Sequence, residues 1–257
     1  MPPVAIVTGG AAGIGRAACH ALARDGFAVV VADIDAERAE HVAAAINRGG
    51  RSASAIRCDV GSDADWRTLI ARAGEVGPLT ALVSNAAIFP RLAFAETTPA
   101  AFDRVMAINL RGAFLSLHHS ASMIAANGGG AYVMMTSGSG QMSAVANPMQ
   151  RGFALYGASK AALDRWALGV APELAPLGIA INVLCPGAVV MTDGVARLAL
   201  GAEAPAERVS PERVADAIAY LAARRPPADT GGRFVATEFG VSWGQAPALN
   251  ELANHHR

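Results

Sequence analysis

The chain has 257 residues, and its 21 Lys and Arg residues balance its 21 Asp and Glu residues. A chain of this length can bury one substantial core, so we expect one domain over residues 1–257. A chain without net charge has no field to gather nucleic acid or an anionic membrane surface. We therefore expect a small-molecule substrate and neither a nucleic-acid nor a membrane partner.

Three cysteines, Cys19, Cys58 and Cys185, are far apart and show no C-x-x-C pair or Cys/His ligand spacing. This pattern favours buried thiols in a reducing compartment and no metal site. The chain enters an apolar run at residues 4–7 without a signal-like segment, and no apolar run reaches membrane-spanning length. We therefore expect a cytoplasmic protein.

Seven short apolar runs alternate with longer helical patterns along the chain. The runs cover residues 4–7, 27–32, 54–58, 79–83, 131–135, 179–184 and 232–236. Strands that are apolar at nearly every position are typical of a parallel sheet covered on both faces. The sequence predicts an α/β single-domain Rossmann fold with a doubly wound, mostly parallel, seven-stranded sheet and helices on both faces.

Helical patterns are predicted at residues 15–24, at 99–127 and around 211–223. The last stretch, residues 238–257, has no strong period and is predicted to be a surface tail.

A glycine-rich turn follows the first predicted strand directly. It reads Thr8-Gly9-Gly10-Ala11-Ala12-Gly13-Ile14-Gly15 and leads into a helical pattern. Glycine lets the backbone approach a pyrophosphate, whose charge meets the free amides at the helix N-terminus. Because a strand precedes the turn and a helix follows it, the sequence predicts a dinucleotide site rather than an ordinary turn.

An acidic residue, Asp33, ends the second predicted strand. A carboxylate at this point can bind both hydroxyls of the adenosine ribose and repels a 2′-phosphate. No basic residue stands at Ala11 or Ala12, so the sequence predicts NAD rather than NADP. The alternative is that Asp33 only caps the end of a strand.

Tyr156 and Lys160 are one helical turn apart in a pattern running to about Leu174, so their side chains share a helix face. An ordinary tyrosine, with a pKa of about 10, is a poor base near neutral pH, and a neighbouring ammonium favours its phenolate. Lys160 is the only lysine among the 21 basic residues, the rest being arginine. This scarcity favours a chemical role over a surface pair.

In these features the sequence closely resembles the short-chain dehydrogenase/reductase family, in its NAD-dependent branch, from Val4 to about Val235. The family's motifs occur in order: the glycine turn, Asp59-Val60, Asn85-Ala86, Asn109, the Tyr156/Lys160 pair and Pro186-Gly187. The resemblance implies an NAD cofactor, a CH–OH donor and a homotetramer or homodimer. It implies cofactor contacts by Gly9, Gly13, Ile14, Gly15, Asp33, Asp59, Val60, Asn85, Tyr156, Lys160, Pro186, Gly187, Val189 and Thr192.

The resemblance also implies a division of catalytic labour. Tyr156 exchanges the proton with the substrate oxygen, and Lys160 lowers the tyrosine pKa and binds the nicotinamide ribose. Ser137 polarises the carbonyl oxygen, and Asn109 completes a water-linked proton path behind Lys160. The hydride itself belongs to the cofactor.

The match is loose at several positions. The 18 residues between Ser137 and Tyr156 make a longer gap than the family usually has, and Ser139 and Ser143 are rivals to Ser137. The extra residues are placed around 147–152. The family's threonine after the Pro-Gly pair falls at Met191, so Thr192 is one position late.

Asn85 retains only the centre of its family motif, because Ser84 and Ala87 depart from it. Near the C-terminus, Thr237-Glu238-Phe239-Gly240 replaces the usual V-D-G-G sequence.

The predicted pocket walls are residues 89–94, 138–155 and 188–206. Met142, Met149, Phe153 and Met191 offer apolar surface there, while Gln141, Gln150 and Arg151 could bind a hydroxyl or carboxylate. Together with Asp33 they favour a small alcohol, polyol or sugar-like substrate oxidised by NAD. The alternatives are an NADPH-dependent 3-oxoacyl thioester reductase and, from another class, a non-catalytic NAD-binding sensor or scaffold.

Overall fold

The computed structural model describes residues 1–143, 150–196, 208–227 and 229–244. Seven parallel strands form its central sheet. They are β1 (Val4–Thr8), β2 (Ala28–Asp33), β3 (Ala53–Arg57), β4 (Leu79–Ser84), β5 (Gly130–Met135), β6 (Ile179–Cys185) and β9 (Arg233–Val235). All seven predicted strands are present, with ends that differ by at most one residue.

The strand order in the sheet is β3-β2-β1-β4-β5-β6-β9, and every neighbouring pair is parallel. The chain winds outward in one direction from β1 to β3 and then in the other direction from β4. Ligands of doubly wound sheets bind outside the carboxyl ends of the strands where this reversal occurs. The fold therefore places a crevice between the ends of β1 and β4.

Helices cover both faces of the sheet. They are α1 (Gly13–Arg24), α2 (Ala36–Arg48), α3 (Asp63–Val76), α4 (Pro99–Met106), α5 (Gly112–Ala126), α6 (Ala154–Leu174), α7 (Asp193–Ala196) and α8 (Pro211–Ala222). One buried cluster joins the sheet to α1, α2 and α8. A second cluster joins its other face to α3, α5 and α6. The predicted doubly wound α/β fold is confirmed, and no helix in the described ranges has the length and apolarity to cross a bilayer.

The long helix predicted at residues 99–127 is interrupted. The chain forms α4, then a π-helical turn at Ala107–Arg111, and then α5. Asn109, in the middle of that turn, is 2% exposed and its side chain is bonded to the backbone of Ile88. Hydrophobic periodicity does not reveal one extra residue in a turn, and such turns are frequent at functional sites.

One small element was not predicted: Val189–Val190 (β7) pairs in parallel with Arg208–Val209 (β8). Two residues a strand are too few to produce a periodic pattern.

The segment 238–244, predicted to begin a surface tail, is packed against α8. Rings of Tyr220, Phe234, Phe239 and Trp243 lie 4.7–6.0 Å apart between centroids, and Trp243 Nε1 donates to the carbonyl of Val235 at 2.9 Å. The segment lies on the surface, as predicted, and contacts between distant aromatic residues, rather than a local period, order it. Residues 245–257 lie outside the described residues.

A single substitution tests how α3 supports the loop after β3. Trp66 is fully buried, and its Nε1 donates to the carbonyl of Val60 at 2.9 Å. Trp66→Phe removes this bond and leaves a small cavity, which should cost about 2–3 kcal/mol of unfolding free energy. Urea unfolding measures the change, with Trp166→Phe at a partly exposed position as the control. Equal losses in the two variants would contradict this account.

Candidate active site

A cleft of about 400 Å³ opens at the carboxyl ends of the strands, where the winding direction changes. Its lining includes ten residues singled out from the sequence: Gly9, Gly13, Ile14, Asn85, Ser137, Tyr156, Lys160, Pro186, Val189 and Thr192. Residues separated by up to 183 positions in the chain thus share one cavity. The topology explains this, because parallel strands all end at the same edge of the sheet.

The glycine turn leads directly into α1 and has the geometry of an anion cradle. Gly9 and Gly13 have φ values of +63° and +53°, which favour glycine, and a Cβ on Gly15 would lie 2.0 Å from the carbonyl oxygen of Gly9. The N-cap of α1 is Ala12, which offers no side-chain acceptor to the first amides of the helix. Unpaired amides at a helix N-terminus fit the pyrophosphate of a dinucleotide.

Asn85 and Thr8 hold this turn in place. The Thr8 hydroxyl oxygen accepts from the backbone amides of Asn85 (3.0 Å) and Ala86 (3.1 Å), while Asn85 Nδ2 donates to the carbonyls of Thr8 (2.9 Å) and Gly9 (3.2 Å). The central asparagine of the imperfect motif therefore links the end of β4 to the turn. Ser84 and Ala87, which replace the outer residues of the family motif, make none of these four bonds.

The carboxylate of Asp33 faces the glycine turn. Its Oδ2 accepts from the amide of Ala11 and its Oδ1 from the amide of Asp35, both at 3.0 Å. Arg57 is in register with Asp33 on the neighbouring strand, but its Nη1 donates to Asp65 at 3.0 Å. The acid thus lies beside the turn, as the sequence predicts, and the arginine that accompanies it already has a carboxylate partner.

Asp59 and Val60 lie one strand further along the same edge, outside the cleft lining. Asp59 Oδ1 accepts from the amide of Gly61 at 2.9 Å, and the Asp59 amide donates to Asp65 at 2.9 Å. Val60 is 9% exposed and lies against Gly112, where a Cβ would approach its side chain to 3.1 Å. These contacts order the loop beyond β3.

Tyr156 is partly buried between two aromatic rings and hydrogen-bonded to Ser137. Phe89 and Phe153 approach its ring edge-on, with centroids 6.0 and 6.3 Å away. Burial raises the pKa of Tyr156 to about 12, and the hydrogen bond with the Ser137 side chain opposes that rise. Unaided, the tyrosine is therefore a neutral proton donor at pH 7.

Of the three candidate serines, the structure brings Ser137 to the tyrosine. Ser137 lies two residues after the end of β5, and its Oγ also accepts from the amide of Ser139 at 3.2 Å. Ser139 lines the cleft as well, whereas Ser143 does not contribute to its lining. The hydrogen bond to Tyr156 therefore favours Ser137, and its catalytic role stays a prediction.

Lys160 lines the cleft but is only 3% exposed. Its Nζ donates to the carbonyl of Met135 at 2.8 Å and lies 5.9 Å from the centroid of the Tyr156 ring. Burial lowers the pKa of Lys160 to about 8, and the nearby charge of Asp164 opposes this effect. The side chain therefore remains mostly an ammonium at pH 7, close enough to favour the phenolate of Tyr156.

The Asn109 side chain connects two segments around the site. Its Oδ1 accepts from the amide of Ile88 (2.8 Å), and its Nδ2 donates to the carbonyl of Ile88 (2.8 Å) and to Ser159 Oγ (3.0 Å). Ser159 in turn donates to the carbonyl of Tyr156 at 2.7 Å. Ser159 was not identified from the sequence, because a buried serine inside a helix leaves no pattern.

The segment after β6 closes the cleft on the side of the glycine turn. Gly187 has φ +86°, and its neighbour Pro186 is in the lining. Thr192 lies directly over Gly13, where a Cβ would approach its methyl carbon to 2.9 Å, while Met191 is outside the lining and 44% exposed. Despite its shifted position, Thr192 is thus the residue that reaches the turn.

The predicted pocket walls are only partly described. Phe89, Gln150 and Phe153 line the cleft, whereas Met142 is 83% exposed and Gln141 is also exposed. Apolar surface near Tyr156 therefore comes from phenylalanine rather than from Met142. Met149, and the parts of the walls at 144–149 and 197–206, lie outside the described residues.

The comparisons with known proteins agree with this geometry. The family model of the short chain dehydrogenases matches residues 3–201. The chain belongs to that family. Cis-4-hydroxycyclohexanecarboxylate dehydrogenase of Sinomonas cyclohexanicum is 37% identical over 85% of this chain and 88% of its own. A 2,5-dichloro-2,5-cyclohexadiene-1,4-diol dehydrogenase of Sphingobium indicum is 32% identical over 72% of each chain.

A solved structure from Beutenbergia cavernae superimposes with a TM-score of 0.82, at 26% identity, over 94% of this chain and 97% of its own. That protein is described as a suggested NAD(P)-dependent gluconate 5-dehydrogenase with NADP bound at low occupancy. Members of this family are nicotinamide-dependent oxidoreductases, so the chain is an oxidoreductase with a Rossmann fold.

Burial of Lys160 makes a prediction about stability and pH. The folded-state pKa of about 8 is below the ordinary value of 10.5, so at pH 7 the buried charge costs about 3 kcal/mol of unfolding free energy. Lys160→Met removes that cost but loses the bond to Met135, and a net gain of about 1–2 kcal/mol remains. We expect this gain to shrink between pH 8 and 10.5, where the unfolded wild-type chain binds the extra proton.

Urea unfolding of both proteins without cofactor at pH 7, 8.5 and 10 measures this difference. A Met variant that is less stable at pH 7, or a difference that does not change with pH, would contradict it.

Proposed function

We propose that this protein transfers a hydride between NAD(H) and the C–OH or C=O group of a small alcohol, with Tyr156 as the general acid and base. The observation that carries the proposal is the Ser137, Tyr156 and Lys160 constellation on the wall of a cleft that starts at the glycine turn. The residues that line this cleft fit a dinucleotide. The glycine turn offers unpaired amides at one end of the cleft, and Tyr156 lies at the other end.

In the reduction direction, the neutral Tyr156 hydroxyl donates its proton to the substrate oxygen, while Ser137 donates a hydrogen bond to that oxygen. In the oxidation direction, the phenolate of Tyr156 removes the proton from the alcohol. The ammonium of Lys160 stabilises this phenolate and offsets the effect of burial. The nicotinamide ring, when bound, accepts or supplies the hydride.

NAD is the proposed cofactor because of Asp33. A 2′-phosphate at the ribose would come close to its carboxylate, whose oxygens are directed at the turn by the amides of Ala11 and Asp35. Arg57, the basic residue in register with it, is bound to Asp65.

Compact secondary alcohols, polyols or sugar-like molecules are the proposed substrates, and the cleft favours the compact cyclic alcohols among them. Phe89 and Phe153 bring apolar ring surface to the reacting hydroxyl, and Gln150 adds one polar group. Aromatic walls suit a carbocycle because they bury its apolar faces. Two relatives are named for hydroxyl groups on six-membered rings, and a structural relative for gluconate.

A homo-oligomer, tetramer or dimer, is proposed from the family resemblance. Small residues on α6 and α8, which could pack in such an interface, are partly used inside the subunit, since Ala167 is fully buried and α8 packs on α1. Light scattering of the purified protein measures the state. A cytoplasmic location also stays a prediction, with three buried free thiols as its motive.

Replacing the tyrosine tests the proposed chemistry. Tyr156→Phe keeps the ring between Phe89 and Phe153 but removes the proton, so kcat should fall by about 10²–10⁴-fold with little change in the Kd for NADH. Stopped-flow or steady-state assays measure kcat, and NADH fluorescence measures Kd. Retained turnover in the Phe variant would reject the assignment of Tyr156.

Replacing the acid tests the cofactor. Asp33→Asn keeps the shape but removes the charge, so we expect kcat/KM for NADP to rise and that for NAD to fall, each by about tenfold or more. Asp35→Asn, at the α2 N-cap beside it, is the control. A wild-type preference for NADP would overturn the NAD assignment at once.

The substrate proposal is tested with a panel of purified compounds at alkaline pH. We expect turnover of cyclohexanols, hydroxycyclohexanecarboxylates or gluconate-like polyols with NAD, and faster turnover of the cyclic compounds. Exclusive turnover of 3-oxoacyl thioesters with NADPH would support the thioester reductase instead. Binding of NAD with no turnover of any compound would favour the sensor or scaffold.

A further inference from the structure

A partly buried acid, Asp164, lies on the same face of α6 as Tyr156 and Lys160. Asp164 follows Lys160 by four residues, as Lys160 follows Tyr156, so the three side chains stand in line on successive helical turns. Asp164 Oδ2 accepts from Arg233 Nε at 3.1 Å. Its Oδ1 is buried and has no hydrogen-bond partner among the described residues.

Arg233 links Asp164 to two other segments of the chain. Arg233 begins β9, the strand at the sheet edge beside β6. Gln141 directly follows residues 137–140, here called the serine segment. With its amide oxygen turned to the guanidinium, Gln141 accepts from Arg233 Nη1 at 3.0 Å and from Nη2 at 3.2 Å. The Asp164 carboxylate and the Gln141 amide both accept hydrogen bonds from the Arg233 guanidinium, so the position of that guanidinium depends on both.

The serine segment itself lies directly on α6. A Cβ on Gly140 would come within 2.8 Å of the Ala161 amide nitrogen, and one on Gly157 within 2.6 Å of the Ser139 carbonyl oxygen. Ser137 and Lys160 therefore belong to two closely packed segments. The contacts of Arg233 with Asp164 on α6 and with Gln141 join the same two segments.

We propose that Asp164 is a positioning residue that keeps Lys160 in its charged form, and that Arg233, which is bound by Asp164 and Gln141, partly offsets the charge of that carboxylate. Lys160 is buried with one carbonyl bond, which is little compensation for an ammonium. A carboxylate one turn away supplies the missing opposite charge. The effect on catalysis rests on the proposed function, whereas the charge of Lys160 can be measured without it.

Other titratable groups around Lys160 are few. Tyr156 precedes it on α6, and Cys185, at the end of β6, acts on Tyr156. The contacts of Lys160 with β5 are made by the carbonyl of Met135, which carries no net charge. Asp164 is therefore the carboxylate whose removal should alter the charge of Lys160 most, and Arg233 the cation that opposes it.

The single lysine makes this measurable in the protein without cofactor. Labelling with ¹³C-lysine, with a lysine-free tag, yields one side-chain resonance, and its pH titration reports the charge of Lys160 directly. We expect Asp164→Asn to lower the titration midpoint by about one pH unit, Arg233→Gln to raise it, and Asp164→Glu to stay near the wild type. Asp216→Asn, which breaks an exposed ion pair with Arg24, is the control and should leave it unchanged.

Opposite shifts in the Asp164 and Arg233 variants cannot come from general damage to the fold, and thermal melts identify any variant that fails to fold. A midpoint unchanged or raised in Asp164→Asn would overturn the proposal, as would the same shift in Asp216→Asn.

The catalytic consequence is read from the alkaline limb of kcat/KM for carbonyl reduction. We expect this limb to move to lower pH in Asp164→Asn and to higher pH in Arg233→Gln, following the midpoints. Midpoints that move while the limb stays fixed would overturn the catalytic consequence. If the wild type reduces no carbonyl, the proposed function fails, and the titration still decides the role of Asp164.

Discussion

Burial of the Lys160 ammonium is the interaction on which the rest of the site depends. A charge that is 97% shielded from water must be held by nearby dipoles and opposite charges, and here they are the carbonyl of Met135 and the carboxylate of Asp164. This arrangement opposes stability, because the folded state binds the lysine proton less tightly than the unfolded chain does. In return, a positive charge lies permanently beside Tyr156.

Tyr156 shows the complementary problem. Burial beside two phenylalanine rings favours its neutral form, and the hydrogen bond with Ser137 opposes that tendency. The Lys160 ammonium lies 5.9 Å from the ring centroid, where its charge favours the phenolate. The proton can therefore move in either direction once charge near the hydroxyl changes. The proposed role of Tyr156 as both acid and base therefore depends on electrostatics set by the fold rather than on any unusual residue type.

Hydrogen bonds between distant segments align this chemistry with the glycine turn. Asn85 connects the end of β4 to the turn, Asn109 connects the π-helical turn to Ile88 and to Ser159 on α6, and Thr192 covers Gly13. Each of these hydrogen bonds and packing contacts joins elements that are far apart in the chain. The cleft is thus a product of the sheet topology, with polar side chains joining its rims.

The fold class, the strand positions, the glycine turn, Asp33 and the Tyr156/Lys160 pair were predictable from the sequence. Each depends on a local pattern, namely apolar runs, glycine spacing or a four-residue helical repeat, so neighbouring residues suffice to specify it. Only the tertiary structure brought Ser137 to Tyr156, interrupted the predicted 99–127 helix, and brought Asp164, Arg233 and Gln141 together. Those outcomes depend on contacts between residues far apart in the chain, and no local spacing encodes such contacts.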